Sequence, residues 1–267
     1  MSAGASGQTT AGRGAAVEAP ADDEREGSPA GEERPRSFVD LHCHSSASFD
    51  SLSKPADIVR LAHERGLTHL AITDHERIEG ALAARDLAPD GLTIIVGEEI
   101  RSADGDVLGL FLDRVVPPGL SAIETIAAIH EQGGLAGLPH PFDRFRNSAL
   151  AGEREELLEG LAEQLDFVEA YNARVPFAEG NERAAAFARR HDLPGVASTD
   201  AHSLLEVAVA CTIVPGLIET PDQLRIALRR ATLLTGHASY LVRGLTPLAK
   251  IVNRARGNRR VRPAAGP

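Results

Sequence analysis

The chain has 267 residues, 43% hydrophobic and 25% charged, enough for one large α/β domain or two small ones with a sizeable core. Its formal charge of −10 argues against wholesale attraction to nucleic acid or anionic lipid. Two cysteines give no disulfide framework, no apolar run approaches the roughly 18 residues of a membrane span, and the N-terminus lacks the basic-then-apolar order of a signal peptide, so a cytoplasmic protein is expected.

Residues 1–36 are rich in Ala, Gly, Ser, Pro and Glu with almost no large apolar side chains. Such a segment cannot offset its ordering entropy by burial and reads as a disordered tail. Strand and helix patterns then alternate over 37–248. Phe38 to His42 reads as the first strand. Ser53 is placed to cap a helix with Pro55 in its first turn and Gly66 at its end. Strands follow at 69–73 and 92–100, the latter with a hairpin partner at 106–112. Ser121 and Glu124 form a capping box for a helix through Glu131, which Gly133 and Gly134 end. Next come a strand at 135–140, a Glu-rich helix at 153–164, a strand at 166–172, a helix at 179–191 and strands at 195–200 and 209–216. Thr220, Pro221 and Asp222 open a helix over 222–231. The stretch 249–267 holds six basic residues and no acidic one. It reads as a solvated tail, with a substrate-steering or nucleic-acid arm as the alternative. Repeated alternation argues for a parallel sheet, and at this length for a closed β/α barrel.

Polar residues gather where strands end. The first strand leads to Asp40, His42 and His44, with Asp50 in the loop; the second to Asp74 and His75; the third carries Glu98 and Glu99. The strand at 135–140 ends at His140, the next carries Glu169 and Asn172, and the one after gives Asp200 and His202. In a β/α barrel these ends converge at one mouth. A strand has period two, so Asp40, His42 and His44 share a side, where the two imidazoles can grip one ion and Asp40 can orient a histidine from behind. Five histidines at the ends of four strands, with Asp50, Glu99 and Asp200, predict a metal centre; imidazole and carboxylate suit manganese, zinc or iron. Cys43 faces away and reads as packing.

The succession DLHCHSSASFDS, AITDH, GEE, LPHP, EAYNAR and STDAH resembles the PHP (polymerase and histidinol phosphatase) superfamily over residues 38–203. The resemblance implies a distorted seven-stranded β/α barrel and a phosphoesterase with two or three divalent ions. By the same resemblance His42, His44, Glu99 and Asp200 would hold the first ion, and Glu99 would bridge to a second that His140 also binds. Asp50, His75 and His202 would form a third set. Several relatives place a further His or Cys on the fifth strand, where this chain offers Glu169 or Asn172. Glu99 as the bridging group, and Asp74, Asp200 or His202 assisting the leaving oxygen, are the candidate catalytic residues. Arg144, Arg146 and Arg174 follow mouth strands and are candidates for holding phosphate oxygens in pairs.

The link 76–91 is short, so a helical insertion that would cover a nucleotide is not expected, nor is a polymerase module. Without Trp and with two Tyr, base stacking is poorly provided for. A small phosphomonoester is the favoured substrate, with nucleotide or short-oligonucleotide diesters second. Two other classes compete: a non-catalytic metal-binding regulatory module, and a C–N hydrolase of the amidohydrolase type. The second commonly uses a bridging lysine, and the central strands contain none.

Overall fold

The computed structural model describes residues 35–143, 146, 155–239, 242 and 244–261. The expected N-terminal tail and Arg144 lie outside this range, apart from the tail's last two residues. Among the described residues nine strands form one sheet: β1 (Arg36–Asp40), β2 (His69–Ile72), β3 (Thr93–Arg101), β4 (Asp106–Leu110), β5 (Leu135–Leu138), β6 (Phe167–Asn172), β7 (Gly195–Ser198), β8 (Cys211–Pro215) and β9 (Thr232–Leu234). The order is β7-β6-β5-β4-β3-β2-β1-β8-β9. Helices α1 (Pro55–Glu64), α2 (Glu79–Arg85), α3 (Ala122–His130), α4 (Glu155–Leu161), α5 (Ala178–Arg190), α6 (Pro221–Leu228) and α7 (Leu245–Ala255) connect or follow the strands.

This corrects the expectation of a seven-stranded β/α barrel on a parallel sheet, although the β3–β4 hairpin was expected. β4 is antiparallel to both β3 and β5, and β8 is antiparallel to β1 and β9. The physical cause is connection length. Only four residues separate β3 from β4, which permits a hairpin but no crossover. The mixed sheet curls into a nearly closed barrel. At the seam, the Thr212 hydroxyl of β8 accepts from the Ala197 amide of β7 (2.9 Å) and donates to the Ala197 carbonyl (3.0 Å).

Seven strands run one way, so their carboxyl ends share a mouth; β4 and β8 run back. Inside the barrel Val39, Ala71, Ile95, Leu108, Phe167, Val196 and Val214 form one buried cluster. Phe167 is fully buried, which stabilises by about 2–3 kcal/mol. It fits because β5 carries Gly137 opposite, where a Cβ would overlap the ring. Period two along β3 sends Ile95 inward and Ile94 and Val96 outward to α1 and α2. The same alternation separates Glu99 from Glu98, whose carboxylate accepts from the Val116 amide at 2.8 Å.

Local signals decide the helix ends. The Ser121–Glu124 capping box forms as the spacing requires, and Thr220 and Gln223 form another. Ser53 does not cap α1: the N-cap is Lys54 and Pro55 takes the first turn. The boundary expected at residue 248 falls inside α7, whose buried residues are Ala249 and Asn253.

Candidate metal centre

The residues expected at the mouth come together. β1 ends at Asp40, and His42 and His44 follow in a segment stitched to the end of β7: the Asp200 amide donates to the His42 carbonyl (2.8 Å) and the His44 amide to the Ala201 carbonyl (2.9 Å). The two imidazoles point together, Nε2 to Nε2 at 3.0 Å. Asp40 does not join them. It accepts from the Thr199 amide and hydroxyl at 3.0 and 2.5 Å, tying β1 to β7. The carboxylate behind His42 is Glu169, whose Oε1 lies 2.9 Å from Nδ1. A His42 Nδ1–H donating there leaves Nε2 for an ion. Glu169 Oε2 accepts from the His140 amide (2.8 Å) and from the Asn172 amide nitrogen (2.9 Å). Glu169 and Asn172 are therefore engaged with the protein, outside the converging groups.

Among the described residues three groups of side chains could each hold an ion: His44, Asp50, His75 and His202; His42, Glu99 and His140; His42, His44 and Asp200. All are buried. Glu99 faces four imidazoles: His140 Nε2 is 3.2 Å from Oε1, while His75 Nδ1, His44 Nε2 and His42 Nε2 are 3.2, 3.3 and 3.4 Å from Oε2. Yet Glu99 Oε2 and Asp200 Oδ1 make no hydrogen bond. Buried acceptors without donors, turned towards imidazole nitrogens, fit a divalent cation. His140 and Asp200 also adopt positive φ, +29° and +52°, a strain that clusters at functional sites.

The charges agree with that fit. Burial alone would raise the carboxyls, but neighbouring imidazoles hold Asp50 and Glu99 well below the usual range, and Arg146 with His42 does so for Asp200. Burial would likewise lower His42 and His44. Asp200, Glu169 and Glu99 hold His42 well above its ordinary value, and Asp200 and Glu99 bring His44 to about 9. Without an ion the cluster would favour protons where a cation would sit. His202, pushed to about 3 by burial and then by Arg174 and His44, stays neutral. Its Nδ1 lies 2.8 Å from the Asp200 carbonyl and its Nε2 3.3 Å from Asp50.

Asp74 is placed differently from the expectation of a leaving-group acid. Its oxygens accept from the Ser45 amide and hydroxyl, both at 2.6 Å, so it holds the turn after His44. Gly80 backs this pair, and a Cβ there would overlap both groups.

Above the cluster lies a cavity of about 330 Å³ whose wall includes Asp50, His75, His202 and five cations: Arg101, Arg146, Arg174, Lys250 and Arg260. Arg146 pairs with Asp200 and Asp143. Arg174 pairs with Glu206 at 3.2 Å and donates to the Thr246 hydroxyl at 2.8 Å. Lys250 and Arg260 belong to the basic stretch 249–267, whose alternative reading is a substrate-steering arm, whereas Glu206 escaped sequence reasoning. Glu206 carried a signal, a carboxylate four residues after His202 and three after Ser203; its Oε2 accepts from the His202 amide at 3.1 Å and the Ser203 hydroxyl at 2.7 Å.

A barrel with imidazoles and carboxylates sunk beneath a cationic cavity fits the class of metal-dependent phosphoesterases. Comparison with known proteins reaches the same class through the sequence: residues 40–172 match the PHP domain and residues 178–233 the PHP-associated region. The chain belongs to the PHP superfamily. It is similar to an uncharacterized protein of Methanocaldococcus jannaschii, 37% identical over 146 residues, covering 51% of this chain and 81% of that one. It is 32% identical over 117 residues to a 5'-3' exoribonuclease of Haemophilus influenzae, 39% of this chain and 42% of the other. A two-domain protein of Bacteroides vulgatus containing a predicted PHP-like metal-dependent phosphoesterase shares the fold, with a TM-score of 0.63, 20% identity, and 76% and 66% of the two chains covered.

The Glu169 arrangement carries an expected outcome. Glu169→Gln keeps every ligand but weakens the acceptor for His42 Nδ1. Ion affinity should fall about 10–100-fold, read by titrating manganese against a competing chelator. Unchanged affinity would remove Glu169 from this role.

Proposed function

We propose that the chain hydrolyses a small phosphomonoester with two or three manganese, zinc or iron ions. The cavity carries this reading. At about 330 Å³ it sits at the small end of ligand sites, and it brings cationic side chains directly over the candidate ligands. His42, His44 and Asp200 would hold one ion, His42, Glu99 and His140 another, and His44, Asp50, His75 and His202 a third. When bound, such ions supply the positive charge that neutralises a phosphate ester and acidifies a water.

The chain's own residues do the rest. Arg146 and Arg174 would hold phosphate oxygens, each exchanging a carboxylate partner for the substrate. Arg144, the third candidate, lies outside the described residues. Of the groups expected to assist the leaving oxygen, His202 lines the cavity, whereas Asp74 is bound to Ser45. Burial of Glu99 and Asp200 excludes bulk water from the cluster and strengthens its electrostatics. A cytoplasmic setting belongs to the same proposal, with Cys43 and Cys211 as free thiols.

A second reading, hydrolysis of nucleotide or short-oligonucleotide diesters, draws on the similarity to the exoribonuclease and on the basic rim. Elemental analysis paired with a panel of p-nitrophenyl phosphate, bis-p-nitrophenyl phosphate, nucleotides and short oligonucleotides tests both. Two or three equivalents of metal and chelator-sensitive monoester turnover are expected. A preference for diesters would favour the second reading, and bound metal without turnover on any ester would favour the regulatory module.

A further inference from the structure

The segment from Leu245 to Val261 lies beyond both matched regions, which end at residue 233. It includes most of the stretch whose sequence reads as a basic tail, yet it folds back onto the mouth. Asn253, 3% exposed on α7, donates from its amide nitrogen to the carbonyls of Ser48 (3.2 Å) and Ser51 (2.9 Å). Asn258 reaches the Ser46, Ala47 and Ser48 carbonyls at 3.4, 3.1 and 3.3 Å. Arg260 grips Glu76 Oε1 through Nε (3.0 Å) and Nη2 (2.9 Å) and reaches Asp106 at 3.2 Å.

Apart from Asp106 at the start of β4, these contacts fall on two short stretches. One is the loop 46–51, which has neither strand nor helix and is built largely of serines. Its carboxylate, Asp50, belongs to the group with His44, His75 and His202. The other is Glu76, the neighbour of His75, held at φ +54°. A loop without ladder bonds orders its side chains only as well as its carbonyls are held. Two asparagine side chains from the C-terminal segment hold four of those carbonyls.

We propose that Asn253 and Asn258 are positioning residues for the ion set of His44, Asp50, His75 and His202, with the C-terminal segment as the clamp that completes it. The inference rests on the metal reading above. Asn253 touches no ligand atom and acts through the loop backbone.

The test compares full-length wild type, Asn253→Ala and Asn258→Ala by elemental analysis and by calorimetric titration of the chelated proteins with Mn²⁺ alone. Wild type is expected to titrate three sites. In Asn253→Ala one site should weaken about 10–100-fold, the scale for groups that orient ligands, while the other two are retained. Asn258→Ala should weaken the same site. A merely structural role would lower the thermal midpoint without singling out one site. If Asn253→Ala does not fold, Asn258→Ala decides alone. Wild type that loads three ions beside variants that titrate identically overturns this inference and leaves the metal reading standing. Wild type that takes up no ion overturns both.

Discussion

Glu99→Gln is expected to cut phosphoester turnover about 10³-fold, the scale of the several kcal/mol that cations contribute at a developing phosphate charge. The substitution is nearly isosteric, and Glu99 is fully buried on a strand whose other inward residues remain unchanged. What it removes is one negative charge within 3.4 Å of four imidazoles. What it adds is an amide N–H₂ turned towards nitrogen atoms that should face a cation. At least one equivalent of metal should be lost with the activity. Kinetics on p-nitrophenyl phosphate with metal analysis of the same sample measure both, and near-normal turnover at full metal content would sink the assignment of Glu99.

Chelation should abolish turnover and lower the thermal midpoint by about 10 °C for each ion removed. A ligand present at a thousand times its dissociation constant stabilises the folded state by about 4 kcal/mol per site, and in a chain of this size each kcal/mol is worth about 2–4 °C. The structural reason is the buried carboxylate set of Asp50, Glu99, Glu169 and Asp200. Without ions their compensation falls to protons on His42 and His44 and to Arg146, a poorer match than a divalent charge. Thermal unfolding with and without chelator, followed by reloading, reads the effect. A midpoint indifferent to chelator would mean that no ion is bound in the cluster.

Much of this site was legible because it is local. His42, His44, His75, His140, Asp200 and His202 each stand within a few residues of a strand's end, so period and position sufficed to bring them to one mouth. Partners at long range were not legible. Glu169 reads as a spare ligand until its contact with His42, 127 residues away, shows it engaged from behind. Asp74 stands next to His75 and invites a chemical role, but its partner is Ser45, 29 residues back. In the fold, the alternating elements predicted the barrel, whereas strand direction depends on pairing that no periodicity encodes. β8 was visible as a strand, and its reversal against β1 was not. α7 escaped because the boundary expected at residue 248 cuts through it and its basic half reads as a solvated tail; only Ala249 and Asn253 of its residues are buried. α2, with Gly80, Ala81 and Ala84 as its buried residues, offers Leu82 alone as a large apolar side chain, too little to mark a helical stripe.

The hydroxyl of Thr212 joins β7 to β8 where a ladder would otherwise run. On one side of that join β7 leads to Asp200 and His202. On the other, β8 pairs with β1, which leads to His42 and His44. His42, His44 and Asp200 would therefore hold an ion from both sides of the gap, like the pin in a hoop's clasp. Taking up the ion would then tighten a closure that the protein's own hydrogen bonds already make.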